Sequence, residues 1–153
     1  MIYVLIVALL IAIDQLTKSW AFNNLRSNDS IVVIEDLLEF TYVENRGAAF
    51  GILQGRSMFF VLITLGVSFF LIYYIFKNYH TTSIFMKISL SLVLAGAVGN
   101  LIDRLVRGFV VDFIFVRFWG YYDFPVFNVA DICVVVGAIS LMLVVLLEKE
   151  KIR

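Results

Sequence analysis

Two aspartates, Asp112 and Asp131, are the residues of this chain best suited to acid–base chemistry. Asp112 interrupts an otherwise apolar run at residues 109–116, and Asp131 follows Asn128 at the start of another apolar segment. Two carboxylates that share one proton can hold a water between them. The ionised group takes a proton from the water, and the neutral group donates a hydrogen bond to a scissile carbonyl. Like charges about 4 Å apart repel by about 4 kcal/mol at an effective dielectric near 20, or about 3 pK units, so one group becomes the acid and the other the base.

Further polar residues fall in apolar surroundings, where each ionisable group costs roughly 2.5–3.5 kcal/mol in a membrane. Asp14 and Lys18 are four residues apart, so they share one face of a helix. Asn100, Asp103 and Arg104 share a face of a second helix. All of them lie toward the side of the membrane that carries the long connections, together with the two aspartates.

Each group also has a structural interpretation. Asp14 and Lys18 can form a local ion pair in which Lys18 extends to the interface, and the polar group at residues 100–104 can cap its helix. Asn128 followed by Asp131 resembles a helix-capping pair at a site that favours negative charge. Asp112 is the hardest to explain in this way, because its apolar neighbours offer it no partner.

Other catalytic chemistries have weaker support. Cys133 is the only cysteine and His80 the only histidine, which argues against a metal site, and the two are predicted on opposite sides of the membrane. A Ser–Lys hydrolase would need a serine facing Lys18, but Ser19 is its sequence neighbour and points elsewhere on a helix. Ser27 and Ser30 stay open for this role, without supporting evidence from the sequence.

The elements that must position these residues are membrane helices. The chain is 62% hydrophobic and 16% charged, against about half and a quarter for soluble domains. A span needs about 20 apolar residues, and four segments qualify: residues 2–22, 57–76, 84–105 and 129–147. Both termini then lie on one side. The apolar run at residues 3–13 of the first segment has no preceding Lys or Arg and is followed by Asp14 and Lys18, so we expect a retained helix rather than a cleaved signal peptide.

The two long connections, residues 23–56 and 106–128, contain strand-like runs at 31–34, 38–43 and 109–116. Because open sheet edges cannot lie in lipid, these runs predict a small sheet on the membrane surface. We expect one membrane-embedded domain over residues 1–153. Lys and Arg are too evenly distributed to orient it, and the acidic first connection weakly favours an outside location. With a formal net charge of +0, no nucleic-acid partner is expected.

Five motifs along nearly the whole chain resemble those of bacterial lipoprotein signal peptidases (signal peptidase II). They are Asp14-Gln15-Leu16-Thr17-Lys18, Asn45-Arg46-Gly47-Ala48-Ala49-Phe50, Gly99-Asn100-Leu101-Ile102-Asp103-Arg104, Val110-Val111-Asp112-Phe113 and Phe127-Asn128-Val129-Ala130-Asp131. Each is weak alone, but the set of five, in order and with family-like spacing, is specific.

The resemblance implies an α-helical membrane protein with four transmembrane helices and a small extracytoplasmic β-cradle. It implies an aspartic endopeptidase of the cell membrane that removes signal peptides from diacylglyceryl-modified prolipoproteins, cutting before the lipidated cysteine, without a cofactor or metal. The termini would be cytoplasmic, and a monomer in contact with membrane lipid is expected. The implied catalytic residues are Asp112 and Asp131; those for substrate binding are Asn45, Asn100, Arg104 and Asn128; those for structural support are Asp14, Lys18 and Asp103.

Two other functions remain open from the residues alone. A small proton-coupled carrier would use intramembrane carboxylates as a relay and should place them throughout the membrane, yet the second helix has none. A structural assembly factor would tolerate the loss of Asp112.

Overall fold

The computed structural model describes residues 2–47, 56–118 and 122–150, with the side chains of 148–150 excepted. Four long helices form the bundle: α1 (Ile2–Leu25), α2 (Ser57–Lys77), α3 (Ile84–Arg107) and α4 (Val129–Glu150). Each is long and apolar enough to cross a membrane. The predicted fold class is confirmed: the helices start where expected and extend one to three residues further at their C-terminal ends.

Local sequence explains both ends of α3. Ser83 caps the N-terminus of α3 by accepting a hydrogen bond from the Met86 amide at 3.2 Å. Gly108 ends α3 in the left-handed region at φ +80°, which a glycine adopts without strain. This turn sends the chain directly from α3 into the strand that carries Asp112.

The two connections build a four-stranded antiparallel sheet in the order β1 (Ile31–Ile34), β2 (Leu38–Asn45), β3 (Val110–Phe118) and β4 (Tyr122–Asp123). The three predicted strand runs correspond to β1, β2 and β3. In β2 and β3, Val43 lies opposite Asp112 and Asn45 opposite Val110. The buried start of β3 packs with the end of α1 in an apolar cluster: Ala21, Leu25, Phe109, Val111 and Phe113.

One short pairing joins the sheet to α4. Ile114 and Phe127 exchange backbone hydrogen bonds of 2.8 and 3.0 Å, and the Phe113 amide also donates to the Phe127 carbonyl. The residue after this pairing is Asn128, which immediately precedes α4. The pairing therefore holds the start of α4 against the strand that carries Asp112.

Helices α3 and α4 approach very closely because α3 presents glycines to α4. A Cβ at Gly96 would lie 2.3 Å from the Ala130 carbonyl oxygen, so no side chain fits there. At Gly99 it would lie 2.6 Å from the Asp14 Oδ2 atom and 3.2 Å from the Ala130 Cβ. The close packing at these two glycines brings residues of α1, α3 and α4 to one point.

Candidate active site

Asp112 lies in β3 with only 2% of its surface exposed. Its Oδ1 accepts a hydrogen bond from Asn128 Nδ2 at 2.6 Å, and its Oδ2 accepts one from Asn45 Nδ2 at 2.9 Å. Asn45 is held in turn by the Gly47 amide, which donates to Asn45 Oδ1 at 3.0 Å. In the described part of the chain, no Lys or Arg forms an ion pair with Asp112.

Asp131 lies in the first turn of α4, where its backbone and side chain are both engaged by Asn128. The Asp131 amide donates to Asn128 Oδ1 at 2.9 Å, and the Asn128 amide donates to Asp131 Oδ2 at 3.2 Å. The capping pair anticipated from the sequence is therefore present. The other carboxylate oxygen, Oδ1, accepts from Asn100 Nδ2 at 2.8 Å. Among the described residues, the hydrogen-bond partners of the Asp131 carboxylate are therefore neutral amides.

Asn128 joins the two aspartates. It is fully buried, and its amide group contacts Asp112 while its backbone amide and Oδ1 contact Asp131. Three asparagine side chains and two aspartates thus form one continuous hydrogen-bonded group, which we call the dyad site: Asn45, Asn100, Asp112, Asn128 and Asp131.

Electrostatics at the dyad site favours retention of a proton. Burial, and then the charge of Asp131, raise the pKa of Asp112 from 3.8 to about 7, against the opposing hydrogen bonds from Asn45 and Asn128. A carboxyl group with a pKa near neutrality is suited to exchange a proton during a reaction.

Arg104 lies beside the dyad site without an ion pair to either aspartate. Its guanidinium donates to the Gly47 carbonyl at 2.9 Å and to the Asn100 carbonyl at 3.4 Å, and it lies 5.3 Å from the centre of the Phe60 ring. Because a guanidinium has five N–H donors, part of its capacity remains free for another acceptor.

A cavity of about 610 Å³ opens next to these groups. Both aspartates, together with Asn45, Asn100 and Arg104, line one part of it. The remaining wall is apolar and comes chiefly from α2, α4 and the segment before α4, with side chains such as Phe60, Ile63, Val67, Phe124, Val134 and Val135. An apolar chain with one polar, carbonyl-bearing segment matches this lining.

The three residues expected to support the structure form a separate buried group with Arg107, which we call the ionic cluster: Asp14, Lys18, Asp103 and Arg107. Lys18 Nζ lies 2.9 Å from Asp14 Oδ2 and 3.5 Å from Asp103 Oδ2. Asp103 also pairs with Arg107 and accepts from the Val111 amide at 2.9 Å, which ties α3 to β3. Asp14 accepts from the Ala130 amide at 2.9 Å and so satisfies a free N–H at the start of α4.

Sequence reasoning missed some members of these groups. Arg107 is not among the residues selected from the sequence, although its position four residues after Asp103 is a signal for pairing. Gln15, which donates to Asp14, Asp103 and the Gly99 carbonyl, was quoted only as part of a motif. Residues 48–50 of the second motif lie outside the described part of the chain. Within the described part, no three His, Cys, Asp or Glu residues are arranged to hold a metal ion.

Comparison with known proteins gives one consistent result. The family model described as "Signal peptidase (SPase) II" matches residues 6–147. The lipoprotein signal peptidase of Clostridium novyi (strain NT) is 47% identical over 95% of this chain and 97% of its own length. That of Clostridioides difficile (strain 630) is 45% identical over the full length of both. A bacterial membrane enzyme solved by the in meso method at 2.3 Å resolution superposes with a TM-score of 0.89 at 38% identity, covering 99% of this chain and 91% of that one.

Proposed function

The chain belongs to the signal peptidase II family of aspartic-type prolipoprotein signal peptidases, and we propose that Asp112 and Asp131 are its catalytic dyad. The observation that carries this proposal is the bridge made by Asn128, which hydrogen-bonds to both carboxylates at the polar end of an apolar cavity. No ion pair neutralises either aspartate among the described residues, so both carboxyl groups stay available for proton transfer.

In the proposed mechanism, Asp112 carries the shared proton and Asp131 is the base. The raised pKa of Asp112 and the location of Asp131 at a helix N-terminus support this division. Asp131 takes a proton from a water, whose oxygen attacks the scissile carbonyl, and Asp112 gives its proton to the carbonyl oxygen. When the resulting diol collapses, Asp131 returns its proton to the leaving nitrogen as the C–N bond breaks, and Asp112 recovers a proton from the diol hydroxyl. Atoms and charges balance at the end of the cycle.

The substrate we propose is a prolipoprotein whose apolar signal peptide enters the cavity and whose diacylglyceryl-modified cysteine follows the cleaved bond. The apolar wall from α2 and α4 suits the signal peptide, and α2 packs mainly against α3, so the space beside α4 can open toward lipid. Arg104, with donors in reserve, would hold a peptide carbonyl near the dyad. Asn45, Asn100 and Asn128 would act through the carboxylates that they contact.

The test uses the purified protein in detergent, with a diacylglyceryl-modified precursor and the same precursor without lipid. We expect cleavage of the lipidated form only, and a loss of at least about 10³-fold in Asp112→Asn and Asp131→Asn. His80→Gln is the matched control, because His80 is exposed in the short link between α2 and α3. Normal cleavage by either aspartate variant would overturn the dyad. The carrier alternative fails if the wild-type protein cleaves here, since detergent solution holds no gradient.

We further propose that the sheet and the dyad site face the outside of the cell and that both termini are cytoplasmic. The acidic first connection supports this orientation, as does a substrate that is lipidated at the outer face of the membrane. In intact cells, a cysteine at exposed Asp29 should react with an impermeant thiol reagent, and one at exposed Thr81 should not. The unmodified chain, whose only cysteine is the buried Cys133, is the control. Labelling at Thr81 and not at Asp29 would reverse the orientation.

A further inference from the structure

Lys18 contacts the dyad site through Asn100. The Lys18 Nζ atom lies 2.7 Å from Asn100 Oδ1, and on the other side of the same amide, Asn100 Nδ2 donates to Asp131 Oδ1 at 2.8 Å. Lys18 is completely buried; its ammonium group donates to Asn100 and lies within ion-pair distance of Asp14 and Asp103. The ionic cluster and the dyad site are therefore linked by one amide group.

Chemistry determines how that amide is oriented. An ammonium group has three donors and no acceptor, so only the oxygen of Asn100 can face Lys18. The Asn100 NH₂ group must then face Asp131, to which it donates. Without Lys18, the oxygen of this amide would keep only the contact with Asn128 Nδ2, which is 3.2 Å from Asn100 Oδ1 and already donates to Asp112 at 2.6 Å. With this longer contact alone on its oxygen, the amide can rotate and accept a hydrogen bond from Asp131 when Asp131 is protonated.

We propose that Lys18 is a positioning residue for catalysis: it holds the Asn100 amide so that this amide always donates a hydrogen bond to Asp131. The proposal rests on the catalytic dyad proposed above and adds a second role to a residue expected only to support the structure. With a fixed donor on Asp131, the shared proton stays on the other carboxyl group, and Asp131 is ready to act as the base before substrate arrives.

The groups that face Lys18 define its effect on the pH profile. Asp14 of α1 and Asp103 of α3 pair with Lys18, and Arg107 lies beyond Asp103. Across the Asn100 amide lie the two aspartates of the dyad site, Asp131 of α4 and Asp112 of β3. A plot of the cleavage rate against pH should be bell-shaped, and both of its limbs should reflect titration of the coupled pair of aspartates. Loss of the donor makes the singly ionised dyad less stable relative to the fully protonated one, so the acidic limb should move to higher pH.

The experiment compares Lys18→Met with Arg107→Met. Both variants remove one cation of the ionic cluster, but only Lys18 contacts Asn100. We expect Lys18→Met to lower kcat per folded molecule by about 10- to 100-fold, the range for one hydrogen bond to a charged group, with little change in KM and with the shifted acidic limb. Arg107→Met should lose thermal stability but keep the wild-type kcat and pH profile. Equal kcat losses and equal pH profiles in the two variants would overturn the proposal.

A double-mutant cycle tests whether Lys18 acts through Asn100. If it does, Lys18→Met combined with Asn100→Ala should cleave no more slowly than Asn100→Ala alone. Losses that multiply would overturn the proposal. If Lys18→Met does not fold, the same cycle is run in an Asp14→Asn background, which removes the unpaired buried charge and keeps an oxygen for the Ala130 amide.

Asp131→Asn separates the two proposals. If this variant cleaves normally, the dyad itself is wrong. If it is inactive while Lys18→Met behaves like Arg107→Met, only the positioning role of Lys18 is wrong.

Discussion

The ionic cluster and the dyad site contain two buried or half-buried aspartates each, yet they are built in opposite ways. In the ionic cluster, Asp14 and Asp103 are matched by the charges of Lys18 and Arg107. In the dyad site, Asp112 and Asp131 contact neutral amides, and the nearest guanidinium, that of Arg104, is bonded to backbone carbonyls instead. The Asn100 amide contacts Lys18 of the ionic cluster and Asp131 of the dyad site, so the two groups are neighbours. Their difference therefore does not come from their depth in the protein.

This difference supports the proposed division between structural and catalytic carboxylates. A carboxylate paired with a buried cation is held in its ionised form, because protonation would leave the cation without a partner. It can join elements of the fold, as Asp103 joins α3 to β3 by accepting from the Val111 amide. A carboxylate held by amides keeps its place and can still gain or lose a proton. Neutral donors therefore suit a catalytic acid or base, and opposite charges suit a structural joint.

The largest effects on stability and on cleavage are expected when one aspartate of each group is replaced by asparagine. Asp103→Asn leaves Arg107 and Lys18 without full compensation, so we expect a loss of about 3–5 kcal/mol, or roughly 10 °C in the unfolding midpoint. Each molecule that remains folded should cleave at close to the wild-type rate. Asp112→Asn should do the reverse, with little loss of stability and almost no cleavage. Reaction of the buried Cys133 with a thiol-reactive dye reports unfolding in both.

The comparison fails if the two variants behave alike. Equal losses of stability would mean that the dyad site also carries structural charge. Equal losses of cleavage per folded molecule would mean that the ionic cluster takes part in the chemistry beyond the contact of Lys18 with Asn100.

A smaller effect is expected at the glycine that makes room for the ionic cluster. In Gly99→Ala, the new methyl group would meet Asp14 Oδ2 at 2.6 Å and push this carboxylate from the Ala130 amide. Overpacking of this kind costs about 1–3 kcal/mol. Gly66→Ala is the matched control, because nothing lies within 4 Å of its Cβ and alanine favours a helix by about 0.5–1 kcal/mol. A Gly99→Ala protein as stable as Gly66→Ala would contradict the close contact.

The helices and strands could be predicted because their signals are local. Each apolar segment has the length of a membrane span, and the runs at β1, β2 and β3 have strand-like composition. The helix ends were placed one to three residues early, because polar residues such as Asn23 and Arg107 still belong to α1 and α3. Residue type and apolar surroundings cannot locate the last turn of a membrane helix that extends into the interface.

The contacts of the site were harder to predict, because they depend on packing between distant segments. Asp112 and Asp131 could be selected by their chemistry, but nothing in the sequence shows that Asn128 contacts both. That contact requires the pairing of Ile114 with Phe127. In the same way, the contact of Lys18 with Asn100 requires the packing of α1 on α3. Only the Asp103–Arg107 pair had a local signal that was overlooked.

A further prediction concerns the dependence of stability on pH. Because the pKa of Asp112 is raised from 3.8 to about 7, the folded protein binds this proton more tightly than the unfolded chain does. The contribution of Asp112 to stability is therefore greatest below about pH 4, decreases as pH rises toward 7, and is constant above. Asp112→Asn has no such dependence, so the wild-type midpoint minus that of the variant should decrease as pH rises from 4 to 7. Val110→Ala, a buried change on the same strand without a titrating group, should show a difference that does not vary with pH. A wild-type advantage that instead grew with pH would mean that the Asp112 carboxylate is stabilised by opposite charge, as in the ionic cluster, and the distinction between the two groups would be lost.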